Sequence, residues 1–124
     1  MVVIKRAYEP RSRDGLRVLV DRLWPRGLGR RAAAIDWWAR ELAPSHALRR
    51  WFGHDPRRWT EFQLRYRREL RSQREGLERL AHHAARGRVT LLYAAKDHAH
   101  NNAAVLQRAV ASLVTRVRPR ARRR

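Results

Sequence analysis

The chain contains no cysteine, which excludes disulfides, thiolate nucleophiles and thiolate metal ligands and leaves the redox compartment open. It is also poor in acid. Eleven Asp and Glu face 30 Lys and Arg, and only two of those bases, Lys5 and Lys96, are lysines. No apolar run approaches the ~20 residues needed to cross a bilayer, and the opening MVVIKRAYEP lacks the apolar core and small-residue cleavage site of a secretory signal. A soluble cytoplasmic protein is expected. No Gly-rich phosphate loop is present, since Arg26-Gly27-Leu28-Gly29 lacks the further glycine and lysine. No serine, threonine or tyrosine stands with His and an acid in a known nucleophile pattern.

The remaining composition suits one folded domain. With 124 residues, 44% of them apolar and five Trp, the chain supports a single core and not two. Its formal charge of +19 attracts polyanions. Six of the arginines fall between Arg116 and Arg124, leaving the body at +13, and a GC-rich coding bias competes with function as their cause. The expected organisation is one domain over 1–115 and a frayed basic tail over 116–124.

The organising stretch is Leu16 to Gly27, LRVLVDRLWPRG. Leu16, Val18 and Val20 alternate with Arg17, Leu19 and Asp21, the pattern of a strand packed on at least one face. Pro25 then extends Trp24 and forbids a helix through it. Val2 to Tyr8 reads as a first strand, and Glu9 to Gly15 is too short for a helical crossover, so an antiparallel neighbour is the default. Arg31 to Leu42 carries Ile35, Trp38 and Leu42 at helical spacing behind three alanines and predicts a helix. Ser45 caps a short helix that stops at Gly53, and Asp55-Pro56 opens a long one. Along that long helix Trp59, Phe62, Tyr66, Leu70, Gln73, Leu77, Leu80 and Ala84 form one stripe, with Gly76 expected to bend or divide it. Val89 to Ala95 is a strand buried on both faces, and Asn102 to about Val117 a last helix.

This order predicts a small single-domain α/β sandwich: a short, mostly parallel sheet of about three strands covered by about four helices. With three helices between the second and third strands, those two should be parallel, their carboxyl ends on one edge. Ligands favour that edge in open parallel sheets, so Asp21 to Arg26 and Lys96 to Asn102 should face one crevice.

The motifs DRLWPRG (Asp21 to Gly27), LAPS (Leu42 to Ser45), RWFGHD (Arg50 to Asp55), RWxEFxxRY (Arg58 to Tyr66) and LLYAAKDxxHN (Leu91 to Asn101) occur in that order. With them the chain resembles the YeaO-like family of bacterial domains of unknown function, from about Val3 to Leu113. The resemblance implies a compact α/β domain and no agreed activity.

The candidate anion site comprises Arg6, Tyr8, Arg22, Trp24, Arg26, Lys96 and Asn101 for binding. Asp21, His54 and His100 are the candidate proton carriers. Guanidiniums grip phosphate or carboxylate in bidentate fashion, Lys adds a point charge, and Trp24 can cover a sugar or aromatic face. A free helix N-terminus at Asn102 would add to the field. Two structural alternatives stand beside this: Asp21 pairs with Arg22, Arg26 or Lys96, and Asn101 or Asn102 only caps the helix. Asp97, His98, His100 and the His54-Asp55 pair raise a weaker metal reading, without any recognised ligand spacing, and no metal site is assigned. Trp37, Trp38, Trp51 and Trp59 read as core anchors. The expected partner is an anionic, phosphate-bearing small molecule, with catalysis open and no cofactor specified. The alternative is a nucleic acid held through phosphate contacts on the Arg-rich helix faces and tail. Oligomeric state is not readable.

Overall fold

A computed structural model describes residues 1–117 of the chain. Residues 118–124, most of the basic tail, lie outside the described residues. Four parallel strands form one sheet: β1 (Val2–Arg6), β2 (Leu16–Leu19), β3 (Trp37–Trp38) and β4 (Val89–Tyr93), in the order β1-β4-β2-β3. The helices are α1 (Arg30–Ala33), α2 (His46–Phe52), α3 (Trp59–Leu70), α4 (Arg74–Arg86) and α5 (Asn102–Val117). The result is an α/β fold in which β2 and β4 pair in parallel, as expected of strands joined by a helical crossover.

β4 lies between β1 and β2, in register with both, with Leu91 opposite Ile4 and Val18. Alternation sends Val18, Val20, Val89, Leu91 and Tyr93 to one face, where they join Leu80, Leu106 and Val110 of the helices in the main core. Leu19, Leu92 and Ala7 take the other face, a smaller cluster under Trp24, Leu28, Ile35 and Trp38.

β1 is not an antiparallel neighbour of β2, as the short connection suggested. It pairs with β4, and residues 7–15 pass across β4 to reach β2. Nine extended residues reach about 30 Å, ample for clearing one strand at ~4.8 Å spacing and returning to the far end of the sheet. Side chains hold the crossing in place. Thr90 donates its hydroxyl to the Asp14 carbonyl (2.7 Å), while the Asp14 carboxylate accepts from Arg17 (2.6 Å) and Lys5 (3.0 Å). Gly15 is required here: at φ +66° a Cβ would meet the Arg88 carbonyl oxygen at 2.1 Å.

The predicted helix over Arg31 to Leu42 does not form. α1 is one turn, ended by Ala34 in the left-handed region (φ 48°), and the chain then runs extended as β3. Asp36 decides this: its carboxylate accepts the Arg17 amide (2.8 Å) and its own amide donates to the Arg17 carbonyl (2.9 Å). Ala39 adds a bond to Leu19. Alanine propensity amounts to a few tenths of a kcal/mol per residue, so ladder bonds and two half-buried indoles override it.

Elsewhere local signals hold. Ser45 Oγ accepts the Leu48 amide, and Gly53 ends α2 in the left-handed region. Asp55 caps a 3-10 turn at Pro56–Arg58 that leads into α3. Phe62, Tyr66, Leu70, Leu77, Leu80 and Ala84 are buried as the stripe predicts. The long helix divides at Arg71–Gln73, not at Gly76. Gly76 instead lies where Leu42 packs on the bare backbone, its Cδ2 2.9 Å from where a Cβ would stand.

Candidate functional site

Parallel strands put the tips of β1, β2 and β4 on one edge, and two adjoining hollows open there. The first, of about 500 Å³, runs from Asp21 to the start of α5 and includes Arg22, Trp24, Arg26, His54 and His100. The second, of about 750 Å³, holds Arg6, Lys96 and Asp97, and the two share Tyr8, His54, Ala94 and Ala95. Asp21 to Arg26 and His100 to Asn102 thus meet around one space, while Lys96 stands in the neighbouring one.

Asp21 follows β2 and its Oδ2 accepts the Ala94 amide at 2.9 Å, tying the tips of β2 and β4 together. It forms no ion pair among the described residues, so the predicted partners Arg22, Arg26 and Lys96 are all elsewhere. Burial pushes its carboxyl above the usual range, opposed by the Ala94 amide, Asn102 and the charges of Arg49 and His54. Asn102 donates to the Val20 carbonyl (2.7 Å), docking the start of α5 on the end of β2.

The cations divide into two groups. Arg6 donates to the carbonyls of Ala95 (3.1 Å) and Ala94 (2.8 Å) and lies over the Tyr8 ring. Arg22 donates to Pro44 (3.0 Å) and Ala43 (3.2 Å). Both shape the rim from within. The side chains of Arg26, Arg50 and Lys96 are exposed and make no hydrogen bond or ion pair among the described residues. Arg49 makes only a long contact, 3.5 Å, to His46.

Tyr8 donates to the Arg26 carbonyl (2.8 Å), bracing the loop that carries Trp24. Trp24 gives its indole N–H to the Leu28 carbonyl and sets an edge against Trp38, with Arg30 over its face. One side of the indole is core and another lines the crevice. Asn101 is buried; its Nδ2 donates to the Asp97 carbonyl and its Oδ1 accepts the Ala104 amide, so its polar atoms serve the turn and the helix start.

Asp97 organises the turn before α5. Amides of His100 and Ala99, then the His100 ring, hold its carboxyl down at about 2. An ionised carboxylate only accepts, so its 2.9 Å contact assigns a hydrogen to His100 Nδ1. The His100 ring stands edge-on to Trp59. His98 turns away to the Tyr93 hydroxyl (3.1 Å), and no three His, Asp or Glu side chains converge as metal ligands among the described residues. His54 has φ +56°, uncommon for a residue with a Cβ, and places an exposed imidazole beside both hollows. No serine or threonine lines either hollow.

Sequence reasoning missed Arg49, Arg50, Phe52 and Phe62 as wall residues. A signal was available for three of them: Ser45 fixes the phase of α2, sending Leu48 and Phe52 inward and Arg49 and Arg50 outward.

The fold and this edge define a class: a small, wholly parallel α/β domain with a cationic crevice at the strands' carboxyl ends. A family model described as "Inactive DUF488-N3 subclade" matches residues 1–123. The uncharacterised protein YeaO of Escherichia coli (strain K12) is 42% identical over 103 residues, covering 82% of this chain and 90% of its own. The uncharacterised proteins Mb3100c of Mycobacterium bovis and Rv3073c of Mycobacterium tuberculosis (strain H37Rv) are each 40% identical over 106 residues, covering 85% of this chain and 89% of theirs. The chain belongs to this YeaO-like family of unknown function, as its motifs implied. No solved structure matches it. No helix among the described residues is long and apolar enough to cross a membrane.

Proposed function

We propose that this protein binds a phosphate-bearing or otherwise anionic small molecule at the carboxyl edge of its sheet and does not turn it over. The observation that carries the reading is the division of the cations: Arg6 and Arg22 are committed to backbone carbonyls, whereas Arg26, Arg50 and Lys96 stand exposed with no hydrogen-bonding or ionic partner among the described residues. Guanidiniums left this way around a concave space grip an oxyanion in bidentate fashion. His100 Nε2 and the His54 imidazole add adjustable hydrogen bonds. The family's description as inactive favours binding over catalysis. In this reading Asp21, His54 and His100 orient a ligand, and Arg6, Tyr8, Arg22, Trp24 and Asn101 shape the site around it.

Calorimetric titration with inorganic phosphate and ribose 5-phosphate at low salt tests this. Arg26→Ala with Arg50→Ala should weaken binding by about tenfold or more while the far-ultraviolet spectrum stays unchanged. Equal affinity in the variant sinks the assignment. The second reading, phosphate-directed contact with a nucleic acid, draws on Arg67, Arg68, Arg71 and Arg74, which are exposed from the end of α3 through the Arg71–Gln73 turn to the start of α4. It predicts binding of DNA or RNA that falls steeply with salt and ignores the Arg26 and Arg50 substitutions.

A further inference from the structure

A crevice built only for a simple anion has no use for an acid, yet Asp21 lies within this one. Its Oδ2 is met by one backbone amide, and no cationic side chain among the described residues pairs with it. An ionised carboxylate there repels a bare phosphate, so the ligand that suits the whole lining must bring hydrogen-bond donors to Asp21 and negative charge to the arginines. Asn102 beside it gives one Nδ2 hydrogen to the Val20 carbonyl and directs the other toward Asp21, leaving Oδ1 as a second acceptor. The walls between are flat and apolar: Phe52 and Phe62 stack with centroids 4.4 Å apart, and Trp24, Pro25 and Pro44 line the same space. A volume of about 500 Å³ is within the range of ordinary small-molecule sites.

We infer that the anion this crevice takes is a nucleoside monophosphate, with the edge of its base on Asp21 and Asn102 and its phosphate at Arg26, Arg49 and Arg50. A nucleobase joins a flat apolar body to an edge of N–H donors and ring acceptors, and the phosphate is displaced from that edge by the ribose. The raised proton affinity of the Asp21 carboxyl is consistent with this, because a carboxyl that carries a proton can donate to a base edge as well as accept from it. This inference rests on the anion reading above and adds the base to it.

The test is calorimetric titration of the whole chain with adenosine, guanosine, cytidine and uridine 5′-monophosphates and with ribose 5-phosphate. At least one nucleotide should bind about tenfold or more tightly than ribose 5-phosphate, since a site that hydrogen-bonds a group rejects the analogue lacking it. Asp21→Asn keeps an oxygen for the Ala94 amide and should reduce that selectivity about tenfold while leaving ribose 5-phosphate within about twofold. Arg50→Ala should weaken all five by a similar factor. If ribose 5-phosphate binds as tightly as every nucleotide, or if Asp21→Asn leaves the selectivity intact, the base is not read and the inference falls, with the anion reading untouched. If none of the five binds, both fall. Should Asp21→Asn fail to fold, the comparison of the five ligands on the unaltered protein decides alone.

Discussion

The two faces of the sheet solve the same problem by different means. The helical face buries Val18, Val20, Leu91 and Tyr93 against Leu80, Leu106 and Val110, and its cohesion is non-directional. The loop face has only a small apolar cluster and beside it a charged one: Arg17, with 0% of its surface exposed, joins Asp14 and Lys5 and also donates to the Ala33 and Glu9 carbonyls. Helices can cover a sheet with apolar stripes, but a loop brings backbone polar groups that need partners. Arg17 and Asp14 supply them, so tolerance to substitution should differ sharply between faces. Asp14→Ala leaves a buried guanidinium uncompensated and should cost about 3–5 kcal/mol in urea unfolding. Adding Arg17→Met should recover much of that loss. A double variant as unstable as the single would show that the charges themselves do not set the loop face's stability.

Acid should separate the faces next. Burial pushes the Asp14 carboxyl up, but hydrogen bonds from Lys5, Arg17 and the Ser12 amide more than offset it and bring it down to about 2. Because the folded value lies below the unfolded one, the stability it contributes is full above about pH 4 and lost as pH falls towards 2. The loss should be about 2 kcal/mol, read as an unfolding midpoint that drops over that window and drops less in the Asp14→Ala/Arg17→Met variant. On the helical face the most exacting point is steric. Gly76→Ala gains up to ~1 kcal/mol of helix propensity but drives a methyl against Leu42, an overpacking cost of about 1–3 kcal/mol. A net loss of about 1 kcal/mol is expected, and Leu42→Val in the same chain should relieve part of it.

The same contrast explains what could be read in the sequence. The helical face was legible because its signals are local and periodic: the Phe62 to Ala84 stripe, the Ser45 cap, the apolar run of β4. The loop face was not. Arg17 sits at an outward position of an alternating strand and reads as solvated, and its partner Asp14 reads as a turn residue; only the crossing of 7–15 over β4 brings them together. The pairing of β1 with β4 joins segments more than 80 residues apart, and nothing in Val2 to Arg6 specifies it. The Ala32 to Ala34 run suggested helix because propensity is local, while the Asp36 bonds to Arg17 that overrule it are not. At the site, parallel topology made the gathering of Asp21, Arg26, His100 and Asn101 at one edge foreseeable. Which arginines would be consumed was not, because Arg6 and Arg22 bind backbone carbonyls that any sequence offers.

Asp21 sits at the seam between the two faces and should respond to acid in the opposite sense to Asp14. Burial raises its folded value above the unfolded one, so the folded protein takes up this proton first as pH falls. Ionising it at neutral pH therefore works against the fold, and that cost grows as pH climbs from about 4 through the folded value, then levels off. Asp21→Asn removes the charge and retains an oxygen for the Ala94 amide. The variant should melt at a higher temperature than the parent at pH 7, by a smaller margin than any change above, and the gap should close near pH 4. An active position commonly carries such a cost, since groups placed for a ligand are seldom those best for stability. Equal melting temperatures at both pH values would mean that solvent in the crevice already satisfies the carboxylate, and Asp21 would then no longer distinguish this edge from the rest of the surface.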